Sequence, residues 1–193
     1  MSPGDYLHKW NQRHREAEDE GSPAQVLVRN LHLLPDSGKA LDLACGRGAN
    51  ALLLAEKDLE THAWDFSPVG IERLQQAAAR RGLHIAGAVR DVVAEPPPAS
   101  SFDVILVSFF LERSLVPHLV QALRPGGRLF YQTFVQAVRL DRGPSTPEWR
   151  LANNELLQLF RELDIHYYRE DGCAATVQTE ISDLALLVAS KRK

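Results

Sequence analysis

Cysteine is scarce: only Cys45 and Cys173 occur in the 193 residues. Two cysteines so far apart give neither a disulfide framework nor the spacing of a metal site, and both suit a reducing cytoplasm. No block rich in lysine and arginine appears. The 22 basic side chains stand against 25 acidic ones, for a net charge of −3. A nucleic-acid or membrane partner is therefore not expected. No apolar run is long enough to span a bilayer, and Met1 to Glu20 is polar throughout, unlike a signal peptide. Internal repeats are absent too. What remains is one soluble domain, expected in the cytoplasm as a monomer or homodimer, and large enough to bury a full core without staples.

The stretch Leu41-Asp42-Leu43-Ala44-Cys45-Gly46-Arg47-Gly48-Ala49-Asn50 organises the chain. Ala40, Leu41 and Leu43 make a buried strand, and Ala51 to Ala55 continue as a helix. Gly46 and Gly48 let the backbone pass close to a ligand between the two. Asp42 narrows the choice of ligand. A carboxylate inside that strand is a poor neighbour for pyrophosphate and a good one for a cation such as an ammonium or sulfonium.

Further signals follow in order. Tyr6, Trp10 and Arg13 fall at helical spacing in a helix predicted over 5–20, with an acidic tail of Glu16, Glu18, Asp19 and Glu20. Gly21-Ser22-Pro23 breaks it, Ser22 being the expected N-cap of the next helix and Pro23 its first residue. Thr61 to Asp65 reads as a second strand ending in an acid. Asp65 there can accept hydrogen bonds from both hydroxyls of a ribose, or cap the next helix. Ser67 and Pro68 supply a cap and first turn for a helix that stops at Gly82. A short strand, Leu83 to Ala88, leads to Asp91. Phe102 to Ser108 is continuous, β-branched and apolar, as a central parallel strand should be. A helix through Val116, Leu119, Val120 and Leu123 reaches the turn Arg124-Pro125-Gly126-Gly127, and a strand runs from Arg128 to Phe134. Gln136 to Trp149 is irregular and long enough to serve as a lid. Asn153 is expected to cap a helix to Leu163. Strands at Ile165 to Tyr168 and Leu184 to Ala189 close the chain.

The spacing Asp42-x-Ala44-x-Gly46-x-Gly48, followed by Asp65, Asp91 and Leu123-Arg124-Pro125-Gly126-Gly127, resembles class I S-adenosylmethionine-dependent methyltransferases. The usual pattern has glycine where Ala44 stands. Trp10-Asn11-Gln12-Arg13-His14, Glu112-Arg113-Ser114-Leu115, Tyr131 to Phe134 and Asn153 to Leu157 resemble the tellurite-resistance-type branch of small-molecule enzymes. His14 stands where that branch more often has tyrosine. The resemblance implies an α/β Rossmann-like fold, with a mostly parallel seven-stranded sheet of order 3-2-1-4-5-7-6 and helices on both faces. It implies one domain, residues 1–193, with a helical extension or lid over 1–37 and the core over 38–193. S-adenosylmethionine is the implied cofactor and S-adenosylhomocysteine the product. The implied donor site takes Asp42, Ala44, Gly46, Gly48 and Asn50 from the first strand and turn. It takes Asp65, Phe66 and Ser67 from the second, Arg90, Asp91 and Val92 from the third, and Ser108 and Phe109 from the fourth. Trp10 and Arg13 join from the extension, with Arg13 meeting the donor's carboxylate.

The acceptor is harder to read. The Asn/Asp-Pro-Pro-aromatic turn of base-methylating enzymes is replaced by Ser108-Phe109-Phe110-Leu111, and the cysteine of cytosine-C5 enzymes is missing. A small molecule with a soft or anionic nucleophile is expected: a thiol, a metalloid oxyanion or a small metabolite. Arg113, Tyr131, Arg139 and Arg150 are the candidates on the substrate side, and no catalytic base stands out. His118, on an apolar helix, is expected to be structural. A protein that binds the donor without catalysis remains an alternative. An NAD(P)-dependent oxidoreductase is a weaker one, because a third glycine is missing near Asn50 and Asp42 opposes pyrophosphate.

Overall fold

The computed structural model describes residues 3–137, 140, 142–174, 177 and 179–193. Seven strands form one sheet: β1 Lys39–Leu43, β2 Glu60–Asp65, β3 Ile85–Val89, β4 Phe102–Ser108, β5 Leu123–Phe134, β6 Asp164–Glu170 and β7 Leu184–Ser190. Their order is β3-β2-β1-β4-β5-β7-β6. β1 to β5 run parallel, and β7 enters antiparallel to both β5 and β6. The helices are α1 Pro3–Glu16, α2 Gln25–Val28, α3 Ala49–Ala55, α4 Pro68–Arg80, α5 Val116–Ala122 and α6 Glu155–Leu159.

The alternation of strand side chains explains the layering. Leu41, Leu43, Ile105, Val107, Leu129 and Tyr131 point to one face, where Leu119, Leu156, Phe160 and Leu163 cover them. Ala40, Val104, Leu106 and Phe130 point to the other, under Val26, Leu27 and Leu54. β4 is buried on both sides, which is why its sequence is apolar without a break. A third cluster packs Leu52, Ile71, Leu74 and Ala78 of α3 and α4 against Ala63 and Ile85.

Several boundaries differ from the sequence expectation, each for a local reason. α1 stops at Glu16, so Glu18, Asp19 and Glu20 lie beyond it. The N-cap of α2 is Ala24, without a side-chain bond, in place of Ser22. Its N–H groups are met from far away instead: Asn50 Oδ1 accepts from Ala24 N at 2.7 Å and Gln132 Oε1 from Val26 N at 2.9 Å. The helix ends after one turn, where the Asn30 side chain takes the Val26 carbonyl at 2.9 Å. The Pro125-Gly126-Gly127 turn falls inside β5, whose pairing with β4 shifts register between Phe102 and Val104. α6 is short and follows Asn154 in a left-handed conformation, in place of a longer helix capped by Asn153. Glu170 holds the Asn154 N–H and Glu155 holds that of Ala152, so this end is fixed by carboxylates from outside its cap. His118 is exposed and does not enter the core.

Candidate functional site

The glycine turn after β1 sits at the C-terminal ends of the parallel strands, where open α/β sheets bind ligands. Gly48 precedes α3 at φ +83, and a Cβ there would lie 2.2 Å from Leu74 Cδ1. Gly70 is equally confined, since a Cβ on it would lie 2.6 Å from the Gly46 carbonyl oxygen. The turn is thus pressed onto α4 at a distance no larger residue permits. Ala44 takes φ +55 at the end of β1. Glycine would adopt this freely; alanine does so at a cost of about 1 kcal/mol.

Asp42 lies beneath the turn and is fully buried. Its Oδ2 accepts from Ala51 N at 3.0 Å, while Oδ1 has no hydrogen-bond partner among the described residues. Burial pushes its pKa up to about 7, against the pull of the Ala51 N–H and the nearby Asn50 amide. A buried acid with an open oxygen, poised between its charged and neutral forms, suits a cationic ligand in the crevice.

Asp65 is also buried, and its oxygens are engaged. Oδ2 accepts from Gly46 N at 2.8 Å and Oδ1 from Ser67 N at 2.8 Å. Burial raises its pKa, with the N–H groups of Ser67, Gly46 and Phe66 opposing the rise. Ser67 caps α4 by accepting from Gly70 N at 3.1 Å, as its sequence implies, and Pro68 opens the helix.

The N-terminal helix docks here. Ser67 Oγ donates to Asn11 Oδ1 at 2.6 Å, and Arg73 donates to the His14 and Ala17 carbonyls. Buried His14 stacks at 5.9 Å from Trp10 and touches the Gly46–Gly70 contact. Burial, then the charges of Arg47, Arg73 and Arg13, lower its pKa to about 4. Arg13 is exposed, its guanidinium 5.1 Å from the centre of the Trp10 ring.

At the third strand, Asp91 is exposed and closes a turn by accepting from Val93 N and Ala94 N. Arg90 stacks 4.1 Å over Trp64, and Val92 is core. At the fourth, Ser108 Oγ accepts from Asn50 Nδ2 at 3.0 Å. Phe109 follows at φ +55 and is 48% exposed.

The candidates on the acceptor side are held within the fold. Tyr131 is buried, donates to the Phe110 carbonyl at 2.8 Å, and has its pKa raised by burial. Arg113 grips both oxygens of Glu155, at 2.6 and 3.0 Å, and the carbonyls of Glu148 and Arg150. Arg150 is buried and donates to the carbonyls of Pro144, Val135 and Arg142. Arg139 lies outside the described residues. These partners were invisible in the sequence, as was the part played by His14. The four-residue spacing from Trp10 to His14 was the one available sign that both share a helix face.

Residues 40–127, from β1 to the turn inside β5, match the family described as a methyltransferase domain. The chain is 28% identical over 142 residues to a probable S-adenosyl-L-methionine-dependent methyltransferase, TehB, of Haemophilus influenzae, covering 69% of this chain and 48% of that protein. It is 32% identical over 103 residues to a demethylmenaquinone methyltransferase of Thermus thermophilus, covering 50% of this chain and 47% of that one. The chain thus spans about half the length of these curated relatives. The crystal structure of H. influenzae TehB superposes with a TM-score of 0.70 at 22% identity, over 86% of this chain and 61% of that one. The chain shares the fold of the TehB structure, and its likeness to the methyltransferase domain lies in residues 40–127.

Proposed function

We propose that the chain transfers a methyl group from S-adenosylmethionine to a small molecule bearing a soft nucleophile. The observation that carries this is the open Oδ1 of Asp42, buried under a glycine turn at the strand ends. When bound, the donor supplies an activated methyl: the acceptor's lone pair forms the new bond as the sulfonium C–S bond breaks, and that electron pair stays on the donor sulfur.

The chain's own work is electrostatic and geometric. Asp42 offers negative charge to the donor's cationic end. Asp65 holds the turn in shape and keeps lone pairs for the ribose hydroxyls. Asp91 lines the adenosine side, Ser108 stands across β1 from it at the end of β4, and Arg13 serves the carboxylate from α1. The groups near the ends of β4 and β5 support an acceptor that arrives already deprotonated. Tyr131 is buried with its hydroxyl engaged, Glu155 is held by Arg113, and Glu112 accepts from Ser114 N and Oγ. A thiolate fits this better than an alcohol or amine, which needs a base to take its proton. A metalloid oxyanion stands second, because Arg113 and Arg150 already serve internal partners.

An assay of S-adenosylhomocysteine release tests it, run against thiols, selenite and a pool of alcohols and amines. Turnover with alcohols or amines alone would contradict the soft-nucleophile reading. No turnover by a chain that binds the donor would favour a binding protein.

A further inference from the structure

We infer that the acceptor is an aryl or heteroaryl thiol, held by its flat apolar body against aromatic side chains at the ends of β4 and β5. This rests on the donor-site reading above. The starting observation is Phe109. It is a bulky residue in the left-handed region at φ +55, an unfavourable conformation for such a side chain, and the residue is 48% exposed. Burial does not account for a strained aromatic in that position. Strain of this kind concentrates at ligand sites.

Its location supports the assignment. Leu43 of β1 pairs with Val107 of β4, so Phe109 stands beside the start of the glycine turn, where Ala44 shares the same strained φ of +55. The Phe109 ring lies 5.2 Å from that of Phe134, at the end of β5. Arg150 extends the row, stacking 5.4 Å over Phe134, and next to it in sequence Trp149 is 38% exposed and meets Tyr6 edge-on at 5.6 Å.

α1 closes the space from above. His14 rests on the glycine turn after β1, and Tyr6 meets Trp149, two residues before Leu151, which pairs with Val135 on the edge of β5 that faces β4. Eight helical residues reach about 12 Å. β4 lies between β1 and β5 in the sheet, a span of two strand spacings, or about 10 Å. The helix therefore runs from the turn after β1 to the segment beside the β4-facing edge of β5, the edge on which Phe109 N meets Gln132 O. A flat ring seated there is within stacking range of Phe109 or Trp149. Its thiolate has lost its proton to water before reaching the methyl.

Calorimetry on the full chain saturated with S-adenosylhomocysteine, under reductant, tests this with 2-naphthalenethiol, 2-mercaptoethanol and selenite as probes. The aryl thiol should bind at least tenfold tighter than either of the others. Phe109→Gly removes the ring and relaxes the backbone. It should melt no lower than the parent and lose at least tenfold in aryl-thiol affinity, far more than it loses for S-adenosylhomocysteine. Trp149→Ala, at an exposed position, should also weaken the aryl thiol and serves if the first variant fails to fold. Equal binding of both thiols by the parent, or unchanged aryl-thiol affinity in the variants, overturns the inference and leaves the donor site standing. A folded parent that does not bind S-adenosylhomocysteine overturns the donor reading and this inference with it.

Discussion

Asp65 and Gly46 are joined by one hydrogen bond, from the Gly46 N–H to Asp65 Oδ2 at 2.8 Å, which ties the end of β2 to the turn after β1. The other oxygen of the same carboxylate starts α4 through Ser67 N. Asp65 thus shapes the crevice as well as facing it. Asp65→Ala should lower the stability of the ligand-free protein by about 1–3 kcal/mol, because two N–H groups lose their acceptor. It should weaken S-adenosylhomocysteine at least tenfold. Urea unfolding and calorimetry on the same variant separate the two effects. A variant as stable as the parent would show that the carboxylate serves the ligand alone.

Asp42 should make donor binding depend on pH. Its pKa near 7 means that it gains charge between pH 6 and 8, and only the charged form attracts a sulfonium and an ammonium. Affinity for S-adenosylmethionine should rise across that range and level off above it. Asp42→Asn should bind about 10- to 150-fold more weakly and show a flat profile, a charge-assisted contact being worth roughly 1.5–3 kcal/mol. A parent profile as flat as the variant's would remove Asp42 from the donor's cationic end.

Opposite pH effects on stability should come from Asp42 and His14. The folded pKa of Asp42 is raised from 3.8 to about 7. Its contribution is full below 3.8 and is lost as pH rises toward 7. The folded pKa of His14 is lowered from 6.5 to about 4. Its contribution is full above 6.5 and is lost as pH falls toward 4. His14→Gln should therefore lose less stability than the parent between pH 6.5 and 4. Thermal melts at half-unit intervals read this directly, and parallel curves would mean that His14 stays solvated.

The strands were legible because they rest on local signals, and their order came from the family resemblance. β4 reads as buried on both faces from Phe102 to Ser108, and Ser67-Pro68 announces the start of α4. The caps of α2 were not legible. They come from Asn50 and Gln132, the latter 106 residues from the N–H it holds. Nothing in the run Tyr131 to Phe134 separates the buried hydroxyl of Tyr131 from an accessible one. Arg113 and Arg150 were unreadable for a similar reason. A guanidinium carries five donors, and carbonyls from a folded loop use them as fully as an anion does. Only the tertiary path of residues 142–150 shows which case applies.

Arg150 tests that last point. It is 6% exposed and its partners are three carbonyls. Arg150→Ala leaves the buried Val135 oxygen and the half-buried Pro144 and Arg142 oxygens unmatched and should cost about 1–3 kcal/mol, seen as a lower urea midpoint at an unchanged slope. A neutral effect on stability, with loss of binding to anionic acceptors, would return it to the substrate side.

The most direct test of the central claim is titration calorimetry of the folded chain with S-adenosylhomocysteine, with NAD as the control and Asp42→Asn alongside. One binding site per chain is predicted for S-adenosylhomocysteine, weakened in the variant, with no heat from NAD. A folded parent that binds NAD in its place, or binds neither ligand, would contradict the account.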